Sequence, residues 1–189
     1  MSKRSDPKTI YLGSGKAYIA EYDAAKGLPD IDTICVDKNL LGKIKSGATL
    51  VYNDEKHDES DDLGTVMKSV VTKETASLKL GLITFNGNTL AYLADRCKVT
   101  EKDGKRTVLI GGYGNSQGKE WVVCFAHEDK KDGNVWVMVR GTNQAGLSLS
   151  YAVDAGTKIE PEIRALPFDD NGSLISYTEE IGEAAAAAE

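Results

Sequence analysis

Alternation of apolar and polar residues with a period of two recurs along the chain, and it restricts the fold more than any other feature. The segments "KAYIAEY" (16–22) and "LSLSYAVD" (147–154) alternate in this way, as expected of strands with one covered face. Two denser apolar runs, "EWVVCFAHE" (120–128) and "NVWVMVRG" (134–141), indicate strands covered on both faces. The sequence therefore predicts a mainly β fold.

Turn signals separate these segments. The charged stretch "DKKDGN" lies between the two dense runs and predicts a hairpin turn. Further turn residues stand at 103–104, 144–146 and 169–172. Strands separated by turns about every 8 to 12 residues are typical of antiparallel sandwiches and barrels.

One internal segment, "NGNTLAYLADRC" (about 86–97), predicts a flanking α-helix. Asn88 or Thr89 could cap its N-terminus. Its apolar residues stand at helical spacing and would form a single stripe: Leu90, Leu93, Ala94 and Cys97.

The region from about 44 to 83 predicts a long extended hairpin. Its arms, 44–52 and 65–83, flank the acidic segment "NDEKHDESDD" (53–62). An arm of about ten residues spans roughly 30 Å, so the hairpin would extend beyond a compact domain. A free strand edge of that length favours pairing with another chain, which is the first indication of assembly.

The acidic segment does not have the spacing of a metal site. A calcium loop of the EF-hand type needs Gly at its sixth position and Glu at its twelfth. A loop that begins at Asp54 or at Asp58 has neither. A transition-metal site needs several His or Cys ligands, whereas only His57 is near. We therefore predict a solvated loop of mutually repelling charges without a metal.

Phosphate-binding and catalytic motifs are weak. The glycine-rich segments "YLGSGKAY" and "GGYGNSQGKEW" lack the spacing of nucleotide-binding loops. Cys124 and His127 are close in sequence, but an odd separation places them on opposite faces of a strand. We therefore expect no enzyme activity and no cofactor.

Length, net charge and composition narrow the classes of protein to which the chain can belong. The chain of 189 residues with a net charge of −6 predicts one domain, over 1–180, without tight nucleic-acid binding. The alanine-rich end, 181–189, predicts a flexible tail. Cys35, Cys97 and Cys124 are scattered, as is typical of reduced thiols. No apolar segment has the length of a membrane span or a secretion signal, so we expect a soluble protein.

Several longer stretches, taken in order, carry a family resemblance. They are "IYLGSGKAYIAEYD" (10–23), "NLLGKIKSGATLVYNDE" (39–55), "LKLGLITFNGNTLAYLADRCKVTEKDGKRTVLIGG" (78–112) and the segment 120–180, which contains "VRGTNQAG" and "DDNGSLISY". Together they resemble the tail tube protein, or major tail protein, of long-tailed bacteriophages and prophages. The alanine-rich extension after Glu183 departs from that family's pattern.

The resemblance implies a tail-tube-type β-sandwich or barrel with one flanking helix. Subunits of this family form hexameric rings that stack head to tail into a hollow tube, and inner strands of six subunits close into a large barrel. The expected partners are therefore other copies of the chain, the tape-measure protein in the lumen, the tail tip or baseplate, and the tail terminator. DNA would pass through without specific binding, and no membrane partner is expected.

The resemblance also gives the acidic segment a role. In this family a long hairpin reaches toward the adjacent ring, so the segment is expected to be the inter-ring contact loop. Its predicted contact residues are Asp54, Glu55, Lys56, His57, Asp58, Glu59, Asp61 and Asp62. The expected location is the virion tail, after assembly in the cytoplasm of the host bacterium. A net negative lumen would repel phosphate and let DNA slide.

Two other functions remain open from the sequence. The first is a tube protein of a contractile, phage-tail-like injection system, which shares the fold. The second is a monomeric β-sandwich that binds a carbohydrate or a receptor, which would need an exposed aromatic cluster. Trp121 and Trp136 lie in dense apolar runs, where packing in the core is expected instead.

Overall fold

The structure is a computed structural model, and it describes residues 14–64, 67–116, 118–129, 133–151 and 156–181. Its helices and strands, in chain order, are β1 (Lys16–Glu21), α1 (Ile31–Ile34), β2 (Leu40–Ser60), β3 (Met67–Leu82), α2 (Gly87–Leu93), β4 (Cys97–Lys102), β5 (Lys105–Ile110), β6 (Trp121–His127), β7 (Val135–Asn143), β8 (Glu162–Leu166) and β9 (Ser176–Glu179). The predicted mainly β fold is confirmed. The predicted flexible tail at 181–189 lies, except for Ile181, outside the described residues.

Six strands pair in a closed antiparallel cycle, in the order β1, β2, β3, β8, β7, β6 and back to β1. One edge of β7 pairs with β6, and its other edge is shared by β8 and β9. Closure of this kind leaves no free edge within the cycle itself. The result is a small barrel filled by side chains, as expected for so few strands.

The main core occupies the inside of this barrel. Alternate residues of the strands point inward, among them Ile19 on β1, Leu78 and Leu80 on β3, and Val123 on β6. All four are at most 4% exposed. The period-two pattern of the sequence therefore corresponds to one face of each strand lying in a common apolar interior.

A second, smaller core covers the outer face of β1, β6 and β7. The intervening positions of these strands, including Tyr18, Val122, Cys124 and Met138, pack together with Ile34 of α1. The two dense apolar runs are therefore covered on both faces, as their composition predicts. Each of these strands contributes alternately to the two cores.

Helix α2 is shorter than predicted and has a different cap. The side chain of Asn86 accepts hydrogen bonds from the amides of Asn88 and Thr89, while the Thr89 hydroxyl accepts one from the Asn86 amide. This capping box begins the helix, so the assignment of the cap to Asn88 or Thr89 was wrong. The helix ends at Leu93 because the following chain enters β4, where Cys97 pairs with Ile110.

The segment 147–154 was expected to form a strand, and its described part, 147–151, does not. Leu147 and Leu149 still pack against the barrel core, so their alternation reflects burial of one face. The barrel closes through β8 instead, and residues 147–151 have no ladder partner in the part of the chain that the structure describes. A separate hairpin, β4–β5, turns at Asp103 and Gly104 as predicted, since both residues have positive φ.

Candidate assembly interface

The β2–β3 hairpin is the feature of the structure that departs most from a closed barrel. Its strands pair from Ile44 opposite Leu82 to Ser60 opposite Met67, which confirms the predicted long hairpin. On β3, residues 76–78 and 80–82 are buried, whereas residues 67–74 are exposed. The outer half of the hairpin therefore extends into solvent as a two-stranded arm, here defined as residues 52–60 and 67–75.

The arm has free backbone on both sides. Strand β2 pairs with β1 only at residues 40–43, and β3 pairs with β8 only at residues 77–79. Among the described residues, no third strand pairs with the arm. Its outer N–H and C=O groups therefore form two unsatisfied edges, each a template for another strand.

A β-bulge divides the arm. Glu55 pairs with Lys73, but the next residue, Lys56, pairs with Val71, so Thr72 is an extra residue on β3. The Thr72 hydroxyl donates to the Glu55 carbonyl oxygen at 3.1 Å. The extra residue shifts the alternation of β3 by one position. Even-numbered residues of β3 share a face with even-numbered residues of β2 near the barrel, whereas beyond the bulge odd-numbered residues of β3 do so.

The two faces of the arm carry different charge. One face, which we name the acidic face, continues the barrel interior through the pairing of Tyr52 with Ala76. Its members beyond that pair are Asp54, Lys56, Asp58, Ser60, Met67, Ser69, Val71 and Glu74. Three carboxylates and one lysine give it a net charge of −2.

The opposite face, which we name the neutral face, balances its charges. It consists of Asn53, Glu55, His57, Glu59, Lys68, Val70, Lys73 and Thr75. Two carboxylates and two lysines cancel when the histidine is neutral. The two faces of the arm thus offer different surfaces to a neighbour.

Ion pairs on the arm are exposed and local. Lys73 Nζ lies 2.8 Å from Glu55 Oε1 on the neutral face, and Lys56 Nζ lies 3.3 Å from Asp54 Oδ2 on the acidic face. Exposed pairs of this kind contribute about 0–1 kcal/mol each. They hold these side chains in place but stabilise the arm much less than a buried core would.

The Tyr52 hydroxyl donates to Glu74 on the acidic face. This hydrogen bond raises the pKa of the Tyr52 phenol above its ordinary value. The contact ties the two strands together where the arm leaves the barrel.

Apolar side chains are also exposed on the arm. Met67 is 71% exposed, Val70 50% and Val71 48%. They lie on β3, and the two faces share them: Met67 and Val71 on the acidic face, Val70 on the neutral face. A two-stranded ribbon in water is marginally stable at best, so these side chains gain most from burial by a partner.

The predicted contact residues all lie on this hairpin, but the predicted loop was wrong. Residues 54–59 belong to strand β2, and only Asp61 and Asp62 lie in the turn region. Within the described part of the turn region, the Gly64 amide donates to the Asp61 carbonyl oxygen at 2.9 Å. The acidic residues form a strand because β3 offers them a partner rich in β-branched residues.

Sequence reasoning assigned the contact to the acidic segment and gave no contact residue on the second arm, 65–83. Met67, Val70 and Val71 supply the exposed apolar surface, and none was predicted as a contact residue. The signal was present in the segment "MKSVVTKETA" (67–76). Its β-branched residues favour a strand, but they do not alternate with polar residues as they would in a strand with one covered face.

Other candidate groups do not converge on a reaction centre. His127 Nδ1 lies 2.9 Å from the Ser14 carbonyl oxygen, whereas Cys124 Sγ lies 3.8 Å from Cys35 Sγ. Trp121 packs edge-on against Tyr92, with ring centroids 4.9 Å apart, and Trp136 packs against the outer core. Within the described residues, no three His, Cys, Asp or Glu side chains are grouped to hold a metal ion.

No protein-family model matches the chain, and no curated protein matches it significantly. In the described parts of the chain, no helix combines the length and apolar character needed to span a membrane.

Proposed function

We propose that this protein is a structural subunit that assembles with copies of itself through the β2–β3 arm, as the tube subunit of a phage tail. The observation that carries the proposal is the arm itself, which pairs with no third strand of the described chain and contributes no residue to either core. A neighbouring subunit that adds a strand to either edge would satisfy the backbone groups. It would also bury the exposed side chains of Met67, Val70 and Val71.

The arm supports assembly better than it supports ligand binding. A small-molecule site is concave and encloses its ligand, whereas the arm is a convex ribbon exposed on both faces. Pairing along a strand also joins identical subunits in one repeated geometry. Repetition of a heterologous contact around an axis closes a ring, which is the arrangement that the family resemblance implies.

The acidic face supports the proposed role as a conduit. In a ring of such subunits, a face with a net charge of −2 on every arm would repel phosphate wherever it meets the lumen. DNA would then pass without specific binding, and the tape-measure protein would occupy the same space during assembly. The tail tip or baseplate and the terminator would bind the two ends of the tube, in the virion tail.

The acidic turn supports contact between successive rings. Asp61 and Asp62 lie at the far end of the arm, where the chain reverses. Charged groups at the end of a projecting hairpin can select the position of the next ring through complementary charges there. The remaining predicted residues, from Asp54 to Glu59, would make side-to-side contacts along the strand.

Electron microscopy of the purified protein tests the proposal. The wild type at high concentration is expected to form rings or hollow tubes. A matched variant replaces residues 54–74 by Asn-Gly, because Asn53 and Thr75 are directly paired and a two-residue turn can join them. This variant keeps the barrel and removes the arm, so we expect it to fold and remain monomeric.

Two results would contradict the proposal. The first is a wild type that stays monomeric at every concentration tested, which would favour a monomeric binding domain. The second is a trimmed variant that assembles as well as the wild type, which would place the contact elsewhere. A contractile injection system would instead be identified by a sheath around tubes isolated from the bacteria that produce them.

A further inference from the structure

The outer core brings two cysteines together that are 89 residues apart in sequence. Cys35 Sγ lies 3.8 Å from Cys124 Sγ. A disulfide bond has a length of about 2.05 Å, so an approach of less than about 2 Å separates the thiols from a covalent bond. All three cysteines of the chain are among the described residues, and none is disulfide-bonded.

The two thiols differ in how firmly they are held. Cys124 is fully buried in β6, a strand that pairs with β1 on one side and β7 on the other. Cys35 is half-buried and directly follows the four-residue helix α1, where its amide donates to the Ile31 carbonyl oxygen. The short helix can therefore shift toward the sheet while Cys124 stays in place.

We propose that Cys35 and Cys124 are an oxidative modification site, which forms an intramolecular disulfide in the presence of a low-molecular-weight disulfide. The bond would fasten the segment 31–39 to the barrel wall. This inference is independent of the proposed assembly, because neither cysteine lies on the β2–β3 hairpin.

The reaction proceeds in two exchange steps. The more accessible thiol, Cys35, loses its proton and attacks one sulfur of the small disulfide, which forms a mixed disulfide and releases one small thiol. Cys124 then loses its proton and attacks the Cys35 sulfur, which releases the second small thiol. Two protein thiols are oxidised, one small disulfide is reduced to two thiols, and the two protein protons end on those products.

Burial sets the conditions under which the reaction occurs. Desolvation raises the pKa of the Cys35 thiol, and burial among apolar groups raises the pKa of Cys124 well above its ordinary range. The thiolate is the reactive form, so the rate is expected to increase as the pH rises through and beyond about 8.5. The thiols would remain reduced in a thiol-rich compartment and cross-link after transfer to an oxidising medium.

The third cysteine provides a matched control. Cys97 is also buried, but its thiol donates to the Ala91 carbonyl oxygen at 3.2 Å. It begins strand β4 and packs outside the outer core that holds the other two. Substitution of Cys97 should leave the reaction unchanged.

The test treats the full-length protein with oxidised glutathione at about pH 8.5 and counts the thiols after denaturation. The wild type is expected to fall from three thiols to one, with an intact mass lower by two hydrogen atoms. Cys97→Ser is expected to fall from two thiols to none. Peptide mapping without reduction should recover Cys35 joined to Cys124.

Two further variants keep the proposal falsifiable. Cys35→Ser and Cys124→Ala, each checked for folding by circular dichroism, should form no intramolecular disulfide. In the wild type, the cross-link should raise the midpoint of thermal unfolding by about 5–15 °C, because it closes a long loop in the unfolded chain. If Cys124→Ala does not fold, the thiol count and the thermal shift of the wild type still test the proposal.

Three results would overturn the proposal. They are a mixed disulfide of glutathione on Cys35 as the final product, a cross-link that contains Cys97, and three remaining thiols in the folded wild type after prolonged treatment. The first two results would show that Cys35 and Cys124 do not bond to each other, and the third that glutathione does not oxidise this pair in the folded protein.

Discussion

The hydroxyl oxygen of Thr89 lies 3.0 Å from the carbonyl oxygen of Leu41 and donates a hydrogen bond to it, which joins helix α2 to the root of β2. The same oxygen accepts a hydrogen bond from the Asn86 amide within the capping box. Thr89 is 3% exposed, so both bonds are made away from water. A single side chain thus holds the start of the helix and the base of the long hairpin together.

Thr89→Val is expected to lower the free energy of unfolding by about 1–3 kcal/mol, because it removes both hydrogen bonds and leaves a buried carbonyl unsatisfied. Urea denaturation measures the change. Thr100→Val, on the exposed face of β4, is the matched control and should change stability by less than about 0.5 kcal/mol. Equal effects of the two substitutions would contradict this role of Thr89.

Gly141 is expected to tolerate no side chain. It lies in β7 opposite Ala165, and a Cβ there would stand 1.9 Å from the Arg164 carbonyl oxygen. Gly141→Ala should therefore lower the free energy of unfolding by about 3 kcal/mol, since β7 and β8 must separate locally. Gly114→Ala provides the comparison, because its Cβ would meet open space. A stable Gly141→Ala protein would mean that the barrel closes differently.

Val71→Asp is expected to weaken assembly without unfolding the subunit. Val71 is 48% exposed on the acidic face, and a third aspartate there would add repulsion and remove apolar contact. The concentration needed for assembly should rise about tenfold or more, which corresponds to at least about 1.4 kcal/mol. Light scattering against concentration measures this shift.

Val99→Asp is the matched control for that experiment. Val99 is a similarly exposed valine, at 37%, but it lies on the separate β4–β5 hairpin. Its substitution should leave the assembly concentration unchanged. If both variants fail to assemble to the same extent, the contact is not specific to the β2–β3 arm.

The turn at 169–173 is expected to give a stability that depends on pH. The Asp169 carboxylate accepts hydrogen bonds from the amides of Ser173 and Asn171, and these bonds lower its pKa. Because the folded-state pKa is below the unfolded one, this stabilisation is present above about pH 4 and is lost as the pH falls further.

Asp169→Ala should therefore melt at a lower temperature than the wild type near neutral pH, and the difference should close in strong acid. Thermal unfolding followed at several pH values measures the gap. Asp170→Ala, the exposed neighbour, serves as the control and should melt like the wild type throughout. A gap that persists unchanged in acid would show that the carboxylate charge is not its source.

The sequence predicts the strands better than it predicts their pairing. Alternation identifies β1, and apolar density identifies β6 and β7 as covered on both faces, because each pattern follows from local burial. The closed cycle depends on contacts between distant segments, such as β3 with β8, which no local pattern encodes. Leu147 and Leu149 alternate correctly and still form no strand, since burial alone does not supply a hydrogen-bonding partner.

The residues predicted to make the contact lie on the β2–β3 hairpin, but their conformation was predicted wrongly. Composition drew attention to the acidic residues and suggested a loop, because charge dominates any local reading of that segment. Their strand conformation comes from the opposite arm, where Val70 pairs with His57 and Lys73 pairs with Glu55. The proximity of Cys35 and Cys124 was equally out of reach, because it follows from the packing of α1 on the outer core.

Residues of the barrel are constrained by packing in the core, and residues of the arm are not. Core residues recur from Ala76 to Leu82, whereas no residue described at 53–60 or 67–75 belongs to either core. Substitutions at exposed positions outside the core usually change stability by no more than about 0.5 kcal/mol, so the arm can change its sequence with little effect on the fold. Under the proposed assembly through the arm, recognition between copies can change while the barrel stays the same. Two variants that differ only in the arm would then lose mixed assembly before either lost stability.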